Sequence, residues 1–331
     1  PDLIGRWGGL FVSAAITDAR GEEADTLEIV LDDKNGRVAY PPTGSEIAVT
    51  IGYRGEGGVV AGLFKVDAVD LEGGQGPQLI TIHGTSVDAK AKAAKENQSE
   101  THKKDETPTV GDLVEKIASR NGWSAKVASA IASIPLIDDI HQTENSDAAF
   151  IDRVIRSHDG AAMVKQRNLV VTRRGDMQSA SGQSISPLTI APALNLLSYR
   201  VSWGDRPTRG EVEARFFDRQ KNITETVTAQ VGKEGGEGVV ERIREAFPTK
   251  DEAQQAADAR ANELKRGDGT ATFEIEGEPA AGAERPVIAV GIRSGVNGLW
   301  VPTTVEHSIG GQGYIARIEA ETPGEDSRDE Q

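Results

Sequence analysis

Apolar residues recur at every second position in short runs near both ends of the chain, and the runs repeat. Residues 62–76 read GLFKVDAVDLEGGQG and residues 298–313 read GLWVPTTVEHSIGGQG, each a glycine-leucine-aromatic start that alternates toward a GGQG turn. Upstream, Ile47-Ala48-Val49-Thr50-Ile51 echoes Ile288-Ala289-Val290-Gly291-Ile292, and Leu27-Glu28-Ile29 echoes Phe273-Glu274-Ile275. Downstream, Leu79-Ile80-Thr81-Ile82 echoes Ile315-Ala316-Arg317-Ile318. Four strands thus recur in one order, displaced by 236 residues at Leu79 and 246 at Leu27, with the drift confined to loops, where insertions cost least. The pattern predicts an internal duplication of a small β-barrel.

The same pattern divides the chain. Residues 1–90 read as a first barrel: apolar runs at 9–12 and 27–31 flank the charged turn 18–25, Asp33-Lys34-Asn35-Gly36 signals a turn, and Pro41-Pro42-Thr43-Gly44 resets the chain before a strand at 46–53. Residues 91–107 hold almost nothing apolar and read as a charged linker. Residues 108–175 read as a small α/β domain. There Val110, Leu113, Val114 and Ile117 fall at helical spacing between an N-cap at Thr109 and a stop at Asn121-Gly122. A second helix opens at Asn145-Ser146-Asp147 and presents Phe150, Ile151, Val154 and Ile155 on one face until Gly160, and residues 162–171 read as a hairpin.

Residues 176–194 read as a second linker, and residues 195–322 as a second barrel that starts at 196–203 and continues through 211–217. An insertion interrupts it: the loop 232–238, then a helix over 250–266 with Thr249 and Glu252 placed for a capping box and small residues on one face for close docking. Strands at 270–277, 285–293, 300–308 and 314–320 complete the repeat, and residues 323–331 read as a disordered tail. The predicted fold class is mainly β with an α+β insert: two similar small β-barrels and an intervening α/β domain.

Composition narrows the function. At 331 residues the chain has room for two or three cores, and with no cysteine it has no disulfide, thiolate metal site or thiol nucleophile. No apolar run approaches the roughly 20 residues of a membrane span, and the start PDLIGRWGGL lacks the basic and apolar regions of a secretory leader. Acidic residues outnumber basic ones 52 to 37, so the net charge of −15 repels phosphate. That sign opposes adhesion to nucleic acid and suits a wall past which DNA must slide.

A search for reactive chemistry returns nothing. His83, His102, His141, His158 and His307 include no pair at the spacing that sets two imidazoles on one helical face. Ser184 and Ser186 lie near a glycine without forming a GxSxG elbow, Asp138-Asp139 is an unremarkable acidic pair, and the glycine-rich 232–238 lacks the Gly-Lys-Ser/Thr of a phosphate loop. The helix at Thr109 with Asn121-Gly122-Trp123 resembles the first helix of a LysM peptidoglycan-binding module, but the second helix and Asn-rich turn are replaced by residues 125–134 and a proline. The expectation is a non-enzymatic protein with no catalytic residue, no cofactor and no metal.

Several blocks carry a family resemblance: Asp25-Thr26-Leu27-Glu28-Ile29-Val30-Leu31-Asp32-Asp33, Pro42-Thr43-Gly44, Gly62-Leu63-Phe64-Lys65-Val66-Asp67, Gln142-Thr143-Glu144-Asn145-Ser146-Asp147 with Phe150 and Arg153, residues 169–175, and Gly298-Leu299-Trp300 with His307. Together they resemble the phage late-control D family, the baseplate hubs of contractile tails, similar to the Mu and T4 hubs and the amino-terminal part of VgrG spikes. The block from Gln142 to Asp147 is the most specific. The amino terminus is shorter than the family's usual first strand, which leaves closure of the first barrel open. The resemblance implies a structural homotrimer whose six barrels adapt a sixfold tail tube to a threefold spike. Its partners would be itself, the tube protein, the spike protein and other baseplate proteins, with DNA only in transit and no membrane anchor. With no spike or lysozyme-like domain following, the piercing tip would be another chain. Its place would be the virion tail baseplate, assembled in the host cytoplasm. The alternatives are the hub of a secretion-system or bacteriocin-like tail, and a peptidoglycan-binding or peptidoglycan-cleaving tail protein.

Overall fold

The alternating runs at the amino-terminal end become β1 (Phe11–Ala19), β2 (Thr26–Asp32), β3 (Glu46–Tyr53), β4 (Gly57–Glu72) and β5 (Leu79–Ser86). They are seen in a computed structural model that describes residues 7–20, 24–34, 36, 38–87, 96–165, 168–173, 185–203, 210–218, 221–231, 239–247, 249–265 and 269–323. The strands pair antiparallel in the order β1-β2-β5-β4-β3. Because side chains alternate between faces, Leu27, Ile29 and Leu31 join Ile80, Ile82, Phe64 and Val66 in one core, while Glu28, His83 and Asp70 lie on the opposite face.

The middle of the chain folds as β6 (Asn97–His102), α1 (Val110–Arg120), β7 (Ser124–Val127), α2 (Ser129–Ala132), β8 (Ile140–Ser146), α3 (Asp147–Arg156), β9 (Gly160–Lys165) and β10 (Asn168–Arg173). Thr109 caps α1 in a reciprocal box with Asp112, and the Ser146 hydroxyl accepts from the Ala149 amide at the start of α3. Leu113, Ile117, Phe150 and Ile155 from the two helices meet Leu169 and Val171 from the sheet β7-β10-β9 in a second core. The charged-linker expectation for 91–107 is corrected here, because Asn97–His102 is a strand paired antiparallel with β8. It is polar because its exposed positions meet solvent; its one buried side chain is His102.

The carboxy-terminal part contains β11 (Leu188–Ile190), β12 (Leu196–Trp203), β13 (Glu211–Asp218), β14 (Ile223–Gln230), β15 (Glu241–Phe247), α4 (Lys250–Lys265), β16 (Gly269–Glu276), β17 (Val287–Ala289), β18 (Gly298–Gly310) and β19 (Gly313–Glu321). Two expectations change. Residues 188–190 of the second linker form a strand parallel to β17. The inserted element is larger than one helix: β13 belongs to a separate sheet, β14-β13-β15, against which α4 lays Ala253, Ala257 and Ala261. Those alanines let the helix approach Val212, Ala214 and Phe216 closely.

The remaining strands pair as β12-β16-β19-β18-β17, the order of β1-β2-β5-β4-β3 with each strand replaced by its counterpart. Register repeats as well. Leu71 faces Ile80 and His307 faces Ala316, and both long strands break register at one place, between Val66 and Ala68 and between Pro302 and Thr304. β1 and β12 share a bulge too, between Phe11 and Ser13 and between Leu196 and Ser198. Gly62 and Gly298, which open the repeated motif, take φ of 157° and 130°, so the glycine is required in both copies; a Cβ at Gly62 would lie 3.0 Å from the Phe64 ring. Two sequence echoes shift: Ile47 corresponds to Val287, since they face Phe64 and Trp300, and Leu27 corresponds to Ala271, since they face Gly84 and Ala320.

The modules do not stand apart as two barrels. β1 pairs antiparallel with β18, from Ala14 opposite Ile309 to Ala19 opposite Thr304, and fuses both into one eleven-stranded sheet. The seam is reinforced where the Tyr53 hydroxyl donates to the Gly277 carbonyl at 2.6 Å and the Tyr53 and Tyr314 rings approach to 5.8 Å. The calls on the glycine-rich loop 232–238 and on the tail after Pro323 fall outside the described residues.

Candidate functional site at the strand edges

The histidines are dispersed among structural roles. His83 Nε2 lies 3.1 Å from Asp70, and His307 Nδ1 lies 2.8 Å from the Tyr314 hydroxyl. Burial pushes His307 below the ordinary imidazole value and Tyr314 above the ordinary phenol value, so both are neutral across this contact. Among the described residues no three His, Asp or Glu side chains are grouped to hold a metal ion. Ser186 takes part through its carbonyl, which accepts from Arg285, and Ser184 falls outside the described residues. Asp139 accepts from the Lys104 amide, and Asp138 lies near Glu252, whose carboxyl is pushed up by burial and by that neighbouring charge. A cavity of about 270 Å³ between the modules is lined by Ile16, Ile51, Val60, Leu63 and His307 together with the carboxylates of Asp18, Asp25 and Glu284, a mixed apolar and acidic seam.

The block from Gln142 to Asp147 has a framework role. Asp147, whose side chain is 4 % exposed, accepts from Arg120 through two guanidinium nitrogens, from Gln142 Nε2 at 2.9 Å and from Asn121 Nδ2 at 2.7 Å. Arg120 and Lys116 also hold Glu100, and the Lys116 hydrogen bond keeps that carboxyl below its usual value. His102 stacks on Phe150 with ring centroids 4.9 Å apart, and its Nε2 lies 3.2 Å from Gln142 Oε1. Since that amide oxygen can only accept, the ring proton sits on Nε2. One buried network therefore locks β6, β8, α1 and α3 together.

Two of the strand edges open among the described residues lie on β12 and β4. β12 pairs on one side only, with β16, and carries the exposed Leu197, Tyr199 and Trp203. In β4, residues 68–72 pair on one side only, with β5, because β3 reaches no further than Lys65, and Leu71 there is 60 % exposed. Unpaired edges are templates for another strand. The sheet face turned away from both cores is acidic along its length. It carries Glu28, Asp32, Asp70 and Glu72 on the first module and Glu274, Glu276, Glu306, Glu319 and Glu321 on the second, against Lys65, Arg200 and Arg317. Sequence reading left the interaction surfaces unassigned, since alternation marks which residues face outward but not which strands lie at an edge.

Residues 106–313 match the model of the phage tail baseplate hub (GPD) family. A "probable baseplate hub protein" of Escherichia phage P2 is 28 % identical over 359 residues, covering 97 % of this chain and 90 % of that one. Among solved structures, a tail protein from Neisseria meningitidis superposes with a TM-score of 0.70 at 11 % identity, over 95 % of this chain and 92 % of the other. A type VI secretion system component of Escherichia coli superposes with a TM-score of 0.56 at 11 % identity, over 94 % of this chain and 73 % of the other.

Proposed function

The chain belongs to the phage tail baseplate hub (GPD) family, and from that premise we propose that it works as a homotrimeric symmetry adaptor. Three copies, each contributing two modules of like strand order and register, make a ring of six near-equivalent positions with true threefold symmetry. One side of such a ring stacks on a sixfold tail tube, and the other receives a threefold spike. The acidic face lines the lumen, where it repels the phosphate backbone and leaves DNA free to pass. Binding energy is spread over large interfaces, with no substrate and no turnover.

The observation that carries this reading is the repeat itself: two modules alike in order and register, already joined edge to edge through β1 and β18. Sedimentation of the purified chain tests it. A species of three chain masses is expected, and a strictly monomeric protein at every concentration overturns it. The curated hub of a phage relative favours a virion over a secretion particle, a choice that genes for capsid proteins beside this one would decide.

A further inference from the structure

Within this reading of three copies in a ring, the repeat also specifies how one copy meets the next. Inside the chain, the second module joins the first by laying β18 against β1, with Ile16 opposite His307 and Thr17 opposite Glu306. β4 is the counterpart of β18, with Leu71 standing for His307, because Leu71 faces Ile80 where His307 faces Ala316. β12 is the counterpart of β1, with Val201 standing for Ile16, because Val201 faces Ala271 where Ile16 faces Leu27. In the first module the outer edge of β4 at residues 68–72, past the backbone bonds of Val66 to Gly44 and Ser45, has no strand partner among the described residues, and neither does the outer edge of β12 in the second.

We propose that β12 of one copy pairs antiparallel with the free half of β4 in the next copy, setting Arg200 opposite Glu72, Val201 opposite Leu71 and Trp203 opposite Val69. The register comes from backbone correspondence alone, yet the side chains it brings together match. Arg200 and Glu72 are exposed, neither has an ion pair within its own chain among the described residues, and in this register they stand opposite on the acidic face. Leu71 and Trp203, 60 % and 52 % exposed, fall on the core side, where Val201 and Val69 already pack against their own cores. Cross-strand charge pairs and aromatic–aliphatic pairs are the units that stabilise antiparallel ladders. The contact is heterologous and closes after three copies, so the open edges of β12 and of β4 are both covered.

The chain has no cysteine, so an engineered pair reports without background. Glu72→Cys with Arg200→Cys in one full-length chain is expected to give, on mild oxidation, a covalent three-chain species on a denaturing gel, while Glu72→Cys with Ser202→Cys, one step off along the same face, is not. Arg200→Glu is expected to weaken assembly about ten-fold and the added Glu72→Arg to restore it. If three-chain mass persists while the 72/200 pair stays unlinked, the 72/202 pair links instead, or the double reversal fails to restore assembly, the register is wrong and the trimer stands. If no three-chain species forms in the unmodified protein, both fall.

Discussion

Ile16 and His307 face each other across the ladder that joins β1 to β18, and this opposition makes one sheet out of two modules. Ile16 is 2 % exposed and His307 is 3 % exposed, so the seam is part of the core on both sides. His307 in turn contacts the Tyr314 hydroxyl at 2.8 Å, and Tyr314 packs on Tyr53, whose own hydroxyl reaches Gly277. The modules are thus coupled by apolar packing backed by buried hydrogen bonds.

The coupling predicts shared loss. Ile16→Ala removes buried methyl groups from a seam that cannot collapse without shifting both modules, and should cost about 2–5 kcal/mol. Chemical denaturation followed by tryptophan fluorescence should show both modules still unfolding in one shifted transition. A variant in which only Trp7, in the first core, responds while Trp300, in the second, keeps its midpoint would show that the seam does not couple them.

Acid should weaken the fold in a defined window. Burial holds His102, His158 and His307 below the ordinary imidazole value, so all three are neutral in the native protein. Around His102 the Gln142 hydrogen bond and Glu100 favour the charged form, while Lys116 and Arg120 add to the burial that opposes it. A histidine with a lowered native pKa binds more protons when unfolded, so stability is complete above the unfolded value near pH 6.5 and falls as pH drops through it toward the native values. Urea midpoints should decline from pH 7 to pH 5, and His102→Gln should flatten that decline. An unchanged slope in the variant would remove His102 from the account.

Much of this was legible in the sequence, and what was not has physical causes. The strand order of the repeat shows in the spacing of Gly62-Leu63-Phe64 and Gly298-Leu299-Trp300, because the left-handed glycine and the buried aromatic are forced by geometry in both copies. The finer alignment slipped by two residues at Leu27, since a period of two makes a two-residue slip invisible to alternation. It slipped by one at Ile47, next to a register shift at which β4 holds the extra residue Ala61 opposite Val49 and Thr50 of β3. Alternation places β13 in the barrel because an alternating strand does not say which sheet it joins; only the alanine face of α4 hints at a separate layer. Asn97–His102 was invisible as a strand because its pairing is carried by backbone bonds and by polar contacts such as Thr101 with His141, which leave no apolar trace.

The buried network around Asp147 makes a third prediction. Asp147→Ala removes the acceptor that Arg120, Gln142 and Asn121 share and leaves them with Glu100, the Asn145 carbonyl and the Ile117 carbonyl, and breaking a largely buried pair from one side costs about 3–5 kcal/mol when both charges are inaccessible. Arg120 is 31 % exposed and can turn to water, so a loss nearer 2–3 kcal/mol is expected. Asp147→Asn keeps an acceptor and should lose less. Equal losses in the two variants would mean that the negative charge at the start of α3, rather than the hydrogen-bond network, is what Asp147 supplies.

The acidic face yields the last prediction, and it separates a lumen from an outer wall. If this face lines a channel, its charge keeps DNA from settling, so replacing Glu274, Glu306 and Glu319 by Gln should slow DNA ejection from particles carrying the variant. The same positions changed to Lys should do more. Each new cation that meets a phosphate displaces a condensed counterion, so retention should ease as salt rises, with a log–log slope of roughly −0.9 per contact on duplex DNA. Three positions in three copies place an upper bound on that slope, and a measured value within the bound would count the side chains that touch the passing duplex. On an outer wall the Lys substitutions would instead raise binding of free DNA to the particle surface and leave ejection kinetics unchanged. That outcome would turn the sheet over: the cores' opposite face would look outward, and the charge would serve solubility alone.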